Sequence, residues 1–204
     1  SFGYEVQISP MQTLMLYNAV ANKGIMLRPY LVNAILQNGN AVRSFSPYVL
    51  RDPIAGRETI RRLQECLVGV CHEPAGTAYK LFKDSPYKVA GKTGTALMAN
   101  GRRGYADHIY QSSFAGYFPI DEPKYSCIVV IKNKPFAAKY YGAQIAGPVF
   151  RTIANKLYTV DRELYKYYKH PALTDTNHRT TKGKPTDHRL IAQQMSQQGT
   201  DPGL

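Results

Sequence analysis

Cysteine is scarce in this chain of 204 residues, and long apolar runs are missing. The three cysteines, Cys66, Cys71 and Cys127, cannot all pair internally, so a disulfide scaffold is disfavoured and buried free thiols are expected. Neither a C-x-x-C pair nor zinc-finger spacing occurs, so we expect no metal and no cofactor. No apolar run approaches the ~18 residues of a membrane span, and no secretory signal pattern is visible.

Acidic residues are also few. Lys and Arg number 26 against 14 Asp and Glu, which gives a formal net charge of +12. Such a charge suits nucleic acid, a membrane surface or an anionic substrate, or it serves solubility alone. No recognition-helix pattern accompanies it, so nucleic acid is not expected as a partner. With 44% hydrophobic residues, 16 Gly and 13 Pro, the composition is that of a globular protein.

Cap and turn residues divide the chain into helices and strands. Ser9, Pro10 and Gln12 predict a helix start with a capping box, and Asn38-Gly39 predicts a hairpin turn. Periodicity predicts further segments: a helix over Glu58–Cys71, strands over Tyr87–Leu97, Gln111–Phe118 and Tyr125–Lys132, and a helix from Gly147 to Tyr158. This order predicts an α+β fold in which helices cover an antiparallel sheet of at least three strands.

The C-terminal residues differ in composition from the rest. We expect one domain over residues 1–170, which ends in an amphipathic helix over the tyrosine-rich stretch Tyr158–Tyr168. Residues 171–204 are polar and lack apolar periodicity, so they are expected to form a flexible tail.

The stretch Val89–Ala96 contains the motif that is most informative about chemical function. Its Gly91-Lys92-Thr93 part is similar to the end of a phosphate-binding P-loop. That loop requires a glycine five positions earlier, where Pro86 stands, and a helix directly afterwards, whereas this sequence continues as a strand. The P-loop interpretation therefore fails in both spacing and context.

Lys92-Thr93-Gly94 fits acyl transfer by an active-site serine, whose motif set includes S-x-x-K and K-T-G. Gly94 has no side chain, so a substrate can lie against the strand backbone at this point. Lys92 supplies a cation near a serine or a substrate carboxylate, and the hydroxyls of Thr93 and Thr95 can bind that carboxylate. We therefore expect Lys92 to be exposed on an open strand edge beside a groove.

The surroundings of this motif carry a family resemblance. The matching segments are Gly3–Gln12, Ala21–Gly24, Gly76–Ala78, Lys92–Ala96, Ser113–Pro119, Tyr140–Gly142 and Ala146–Phe150. In this order, over roughly residues 3–158, the chain resembles the C-terminal half of the transpeptidase domain of class B penicillin-binding proteins, the peptidoglycan D,D-transpeptidases. The resemblance is closer to division-type than to elongation-type members. It implies part of the fold that penicillin-binding proteins share with serine β-lactamases.

The resemblance also implies roles and partners. Lys92 and the backbone N–H of Thr95, an oxyanion-hole donor, would be catalytic, and Lys92, Thr93, Gly94 and Thr95 would bind substrate. The expected partners are peptidoglycan stem peptides, β-lactam antibiotics and divisome proteins. The expected location is the periplasmic face of the bacterial inner membrane, with an anchor in an N-terminal segment outside this chain.

The chain departs from the family in its nucleophile. No S-x-N occurs, and the one literal S-x-x-K, Ser85-Pro86-Tyr87-Lys88, enters a strand instead of starting a helix. In a strand, Ser85 and Lys88 would lie ~10 Å apart, so we reject Ser85 as the nucleophile. We therefore expect the chain to form one side of an active site and to lack the serine nucleophile. The alternative is a non-catalytic penicillin-binding sensor or scaffold module of the same fold.

Other polar residues lie outside the matched motifs. His72 and His108 are expected to be structural or surface residues, and Arg102 and Arg103 are expected on a solvated loop. The strand Tyr125–Lys132 is expected to leave one edge unpaired, which the missing N-terminal half of the domain or another copy of the chain would cover.

Overall fold

The computed structural model describes residues 8–161 and 163–164. The helices are α1 Pro10–Ala21, α2 Arg57–His72, α3 Tyr79–Phe82 and α4 Gly142–Val160. The strands are β1 Met26–Leu27, β2 Ala34–Gln37, β3 Asn40–Ser44, β4 Val49–Arg51, β5 Ala90–Met98, β6 Ile109–Phe118 and β7 Tyr125–Lys132. The predicted α+β class is therefore confirmed. The resembling segment before residue 8, part of the stretch Tyr158–Tyr168 and the predicted tail lie outside the described residues.

The central sheet has three antiparallel strands in the order β5-β6-β7. Its two faces pack against different helices. Phe114 and Phe118 of β6 contact Phe150 of α4 with ring centroids 4.7 and 5.8 Å apart. Tyr117 of β6 points to the other face, because strand side chains alternate. There it packs in a buried cluster with Ala90 of β5 and with α1 residues that include Val20.

The N-terminal helix begins where the cap residues predict. The side chain of Ser9 accepts the backbone N–H of Gln12 at 3.2 Å, and the Gln12 side chain accepts the N–H of Ser9 at 2.8 Å. This reciprocal pair satisfies two of the backbone donors that a helix start leaves without partners. The capping-box prediction is therefore confirmed.

Two small strand pairs lie outside the central sheet. The predicted hairpin forms between β2 and β3, with Asn38 and Gly39 at φ values of +51° and +81°. A left-handed turn of this kind favours Asn and Gly, which explains the strength of the sequence signal. The pairing of β1 with β4 was not predicted, because each strand has only two or three residues.

The predicted start of the last helix is wrong. Helix α4 begins at Gly142, not at Gly147, and it carries Pro148 in its interior. Gly147-Pro148 favours a helix start, because proline suits the first turn of a helix. In the structure, Pro148 lies inside the helix, which therefore lacks one backbone N–H donor at that position. The turns before it are nevertheless helical and bury Gly142 and Ala146. This earlier start brings the helix terminus against β5.

The cysteine prediction is corrected at two residues. All three thiols are free and Cys71 is buried, as expected, but Cys127 is only half-buried and Cys66 is exposed. Cys66 and Cys71 lie five residues apart on α2, so they point to different faces of the helix. Only one of these two faces packs on the sheet.

Candidate active site

The K-T-G residues lie on β5, the edge strand of the sheet. Within the described residues β5 pairs only with β6. In this pairing, Lys92 is opposite Ala115 and Thr95 is opposite Ser112. Lys92 is exposed, as predicted, and Thr93 is half-buried. Because alternate side chains share a face, Thr93 and Thr95 point to the α4 side and Lys92 to the opposite side.

The hydroxyl of Thr93 lies between two neighbours. Its Oγ1 is 3.0 Å from Oγ1 of Thr77, and the Lys92 ammonium donates to it at 3.3 Å and to the Thr93 carbonyl at 2.9 Å. A threonine oxygen has two acceptor lone pairs and one hydrogen. When Thr77 and Lys92 both donate to this oxygen, its own hydrogen is left for an outside acceptor.

The hydroxyl of Thr95 is held in a similar way. Its Oγ1 accepts the backbone N–H of Gly142, the first residue of α4, at 3.0 Å. An acceptor role in that bond leaves the hydroxyl hydrogen of Thr95 free to donate. Thr93 and Thr95 thus present two hydroxyl groups on one face of the strand, next to a lysine.

The backbone of β5 adds a further donor at the open edge. The carbonyl of Thr93 bonds Lys92 and the carbonyl of Gly91 lies 4.0 Å from Sγ of Cys71, so these carbonyls point away from β6. In an antiparallel ladder, alternate residues direct both N–H and C=O to the same side. The N–H of Thr95 therefore points to the same open edge.

Close packing fixes the position of this edge strand. A Cβ on Gly142 would lie 2.5 Å from the carbonyl oxygens of both Gly94 and Ser113. Only glycine allows the start of α4 to lie directly on the β5–β6 ladder at this point. The helix start, the Thr95 hydroxyl and the K-T-G backbone therefore form one rigid unit.

Residues 1–155 match the family described as penicillin binding protein transpeptidase domain. The chain belongs to this family. Among curated relatives, it is 31% identical over 159 residues to peptidoglycan D,D-transpeptidase FtsI of Buchnera aphidicola subsp. Baizongia pistaciae, covering 77% of this chain and 26% of the relative. It is 33% identical to probable peptidoglycan D,D-transpeptidase PenA of Neisseria gonorrhoeae, covering 75% of this chain and 24% of the relative.

Solved structures agree with the transpeptidase-domain assignment. The transpeptidase domain of Burkholderia pseudomallei penicillin-binding protein 3 superposes with a TM-score of 0.56 at 26% identity, covering 78% of this chain and 45% of that domain. Streptococcus pneumoniae penicillin-binding protein 2B gives a TM-score of 0.62 at 19% identity, covering 76% of this chain and 25% of that one. The second likeness concerns the fold alone. This transpeptidase-domain chain spans about a quarter of the length of its curated relatives.

Other candidate nucleophiles of this transpeptidase-domain chain are poorly placed. Ser85 lies just after α3, where its N–H bonds the carbonyl of Phe82, and its hydroxyl is buried without a partner among the described residues. Ser85 thus lies in the connection between α3 and β5, which begins only at Ala90, and it starts neither a helix nor a strand. Burial raises the pKa of Cys71 to about 12, so its thiol stays protonated near neutral pH.

The histidines and arginines outside the motif behave as structural or surface residues. His72 accepts the backbone N–H of Val89 at 3.0 Å through Nε2, and burial lowers its pKa. His108 is exposed and contacts the ring of Phe136. Arg102 and Arg103 are exposed, as predicted.

Two contributions to the site were missed by the sequence analysis. Gly76-Thr77-Ala78 was noted for its spacing alone, whereas Thr77 directly contacts Thr93. The second contribution is a hydrogen-bond network at Ser112, the register partner of Thr95. The Ser112 hydroxyl donates to the carbonyl of Tyr140 at 2.5 Å and accepts from the side chain of Asn133 at 2.7 Å. Partners 16 to 28 residues apart leave no local signal, although Ser113–Pro119 and Tyr140–Gly142 had been recognised as matching segments.

Two concave regions of the described residues lie away from the K-T-G strand. One, of about 370 Å³, lies between α2 and the residues after β6, and another, of about 430 Å³, lies between α1 and the β6–β7 turn. Residues 8–161 and 163–164 contain no cluster of three metal-ligating side chains and no helix long and apolar enough to cross a membrane.

Proposed function

We propose that this chain is the C-terminal portion of a serine-type peptidoglycan D,D-transpeptidase, and that it carries the substrate-binding strand but not the nucleophile. The observation that carries the proposal is the set of donors on one edge of β5. The Lys92 ammonium, the hydroxyls of Thr93 and Thr95, and the Thr95 N–H lie together along this strand, in a position to meet an anionic acyl donor. Family membership over residues 1–155 supports it.

In the proposed reaction, a serine outside this chain attacks the carbonyl carbon of the penultimate D-Ala of a stem peptide. A serine ester forms, the amide bond breaks, and the terminal D-Ala leaves with a proton on its nitrogen. An amine of a neighbouring strand then attacks the ester, forms the cross-linking amide and releases the serine. Thr93 and Thr95 hold the donor carboxylate, and Lys92 helps to align the serine.

The Thr95 N–H is proposed to stabilise the oxyanion of each tetrahedral intermediate. The edge position supports this role, because the N–H is already directed outward before the substrate binds. Removing one donor of such a pair typically costs ~3 to 4 kcal/mol of transition-state stabilisation. The second donor would belong to the serine residue itself.

The proposed setting follows from this chemistry. The parent protein would act on stem peptides, bind β-lactams as mimics of the acyl donor, and contact divisome proteins. It would work on the periplasmic face of the inner membrane, held there by a segment outside this chain. The rest of the transpeptidase domain would form the wall opposite β5.

Labelling of the parent protein with a fluorescent penicillin tests the role of Lys92. We expect Lys92→Ala to slow labelling at least tenfold, because the cation beside the acyl donor is lost. Lys156→Ala serves as the matched control, since Lys156 is an exposed lysine on α4. Undiminished labelling of Lys92→Ala would contradict the proposed role.

A second measurement separates catalysis from the alternative, a non-catalytic sensor of the same fold. Both would form a covalent penicillin adduct, but only the enzyme releases D-Ala from a pentapeptide in repeated turnovers. We expect multiple turnovers from the parent protein. By contrast, the 204-residue chain alone should form no adduct, and a stoichiometric adduct in its intact mass would overturn the rejection of Ser85.

A further inference from the structure

A buried serine lies directly opposite Thr95 on the neighbouring strand. Ser112 is the register partner of Thr95, and it is fully buried. It shares the face of the sheet that packs against α4 with Phe114, which lies two residues further along β6 and contacts that helix. A buried hydroxyl costs free energy unless it is hydrogen-bonded. The bonds that Ser112 makes therefore matter for what surrounds it.

The Ser112 hydroxyl joins the two ends of the loop of residues 133–141, which connects β7 to α4. It donates to the carbonyl of Tyr140 at 2.5 Å and accepts from the side chain of Asn133 at 2.7 Å. Both ends of the loop also contact Tyr110, through the N–H of Asn133 at 2.8 Å and the stacked ring of Tyr140 at 4.0 Å. Ser112 is thus the buried link that sets the position of the Tyr140 carbonyl.

The start of α4 follows directly from this carbonyl. The next peptide group carries the N–H of Gly142, which donates to Oγ1 of Thr95 at 3.0 Å. Only the φ and ψ angles of Tyr141, −70° and 139°, lie between the peptide that Ser112 holds and the peptide that bonds Thr95. An N–H at a helix start carries partial positive charge, so it suits an oxygen that itself donates to an anion.

We infer that Ser112 is a positioning residue for the terminal carboxylate of the acyl donor. Its hydroxyl holds the Tyr140 carbonyl, and this fixes the Gly142 N–H that orients the hydroxyl of Thr95. The inference rests on the proposed function, which places the donor carboxylate at Thr93 and Thr95. Without the serine hydroxyl, the carbonyl loses its buried partner and the N–H at the helix start loses its fixed direction.

Two thiolester donors test this inference on the parent protein, because they differ only in the group that Thr95 would bind. They are acetyl-D-alanyl-thioglycolic acid and the same compound with a carboxamide in place of the carboxylate. Attack by the serine forms the serine ester, breaks the carbon–sulfur bond and releases a thiol, which a colour reagent measures.

The parent protein should prefer the acid donor to the amide donor. Ser112→Ala should lower kcat/KM for the acid donor about threefold to tenfold, the effect of a hydrogen bond of ordinary strength. It should change kcat/KM for the amide donor little, so that the acid preference decreases. An equal decrease for both donors would mean that Ser112 supports only the fold, and it would overturn the inference.

Ser126→Ala is the matched control. Ser126 also accepts a hydrogen bond from an asparagine side chain, that of Asn18, at 3.1 Å. It lies on β7, outside the connection that leads to Thr95. The control should keep the acid preference of the parent protein, and a loss as large as that of Ser112→Ala would count against a specific role for Ser112.

A double-mutant cycle shows whether Ser112 acts through Thr95. Thr95→Val removes the hydroxyl that Ser112 is inferred to position, so adding Ser112→Ala should reduce the acid preference no further. An additive loss would overturn the inference, because Ser112 would then act on a different group.

Asn133→Ala provides a second variant of the same network. Asn133 is only half-buried, and its removal takes one bond from the Ser112 hydroxyl. The acid preference should decrease in the same direction as in Ser112→Ala, but less. If Ser112→Ala does not fold, this variant decides the question, and an unchanged acid preference in it would refute the positioning role.

The parent protein without substitutions separates this inference from the proposed function. Failure to turn over either donor would contradict the proposed function itself. Turnover of the acid donor, with the same acid preference in Ser112→Ala as in the parent protein, would overturn the positioning role of Ser112 alone.

Discussion

At the scale of single residues, Gly142 couples the last helix to the K-T-G strand. A Cβ there would meet two carbonyl oxygens at 2.5 Å, so Gly142→Ala should push the helix start away from β5 and weaken the bond to Thr95. Overpacking of this kind typically costs ~1 to 3 kcal/mol. We expect that loss in the free energy of urea-induced unfolding.

Gly69→Ala is the matched control for this prediction. Gly69 lies inside α2, and its added Cβ would meet only the flexible Glu73 side chain, at 3.2 Å. Alanine is the better helix former by ~1 kcal/mol, so this variant should be neutral or more stable. Equal stability of the two variants would mean that the contact at Gly142 relaxes without cost.

His72 predicts a pH dependence of stability. Burial lowers its pKa in the folded protein, whereas an unfolded histidine titrates near ~6.5. Below about pH 6.5 the unfolded chain therefore binds more protons than the folded chain, and stability decreases as the pH falls. His72→Gln cannot take up that proton, so the urea midpoint of the variant should fall less between pH 7.5 and 5.5. Identical shifts in both proteins would exclude His72 as a contributor.

At the scale of elements, prediction from the sequence worked where the signal is local. The capping box at Ser9, the hairpin at Asn38-Gly39 and the three strands of the sheet all depend on neighbouring residues, and they form, although β5 begins at Ala90 and not at Tyr87. The start of α4 was missed because a helix interior can accept Pro148 when tertiary packing holds its first turns. The contact of Thr77 with Thr93 joins distant segments, so only the fold reveals it.

The capping box of α1 gives a testable contribution to stability. Ser9→Ala removes the acceptor for the N–H of Gln12, and caps of this type contribute ~1 kcal/mol. We expect that loss in urea unfolding. Ser9→Asp keeps an acceptor and should retain most of the stability. A loss of the same size in Ser9→Asp would indicate that the serine acts through something other than its cap.

At the scale of the whole molecule, two surfaces besides the outer edge of β5 are open in the described part of the chain. Strand β7 pairs only with β6 there, and its side chains are half-buried along most of its length. Residues 30–44, which contain the β2–β3 hairpin and are called the hairpin region below, expose large apolar side chains. Leu31 is fully exposed, and Leu36 is 63% exposed. Exposed edges and apolar surfaces both favour association, although the net charge of +12 opposes contact between copies.

We therefore expect the isolated chain to self-associate through the β7 edge, and more strongly as added salt screens the charge. Sedimentation velocity over a range of concentrations should detect species heavier than the 22.9 kDa monomer. Leu31→Ser distinguishes the two open surfaces, because it changes the hairpin region and leaves β7 intact. Association that survives Leu31→Ser supports the strand edge, and association lost with Leu31 assigns the contact to the hairpin region. A single monomeric species at high salt would contradict the expectation, since an unpaired edge would then be protected within the chain itself.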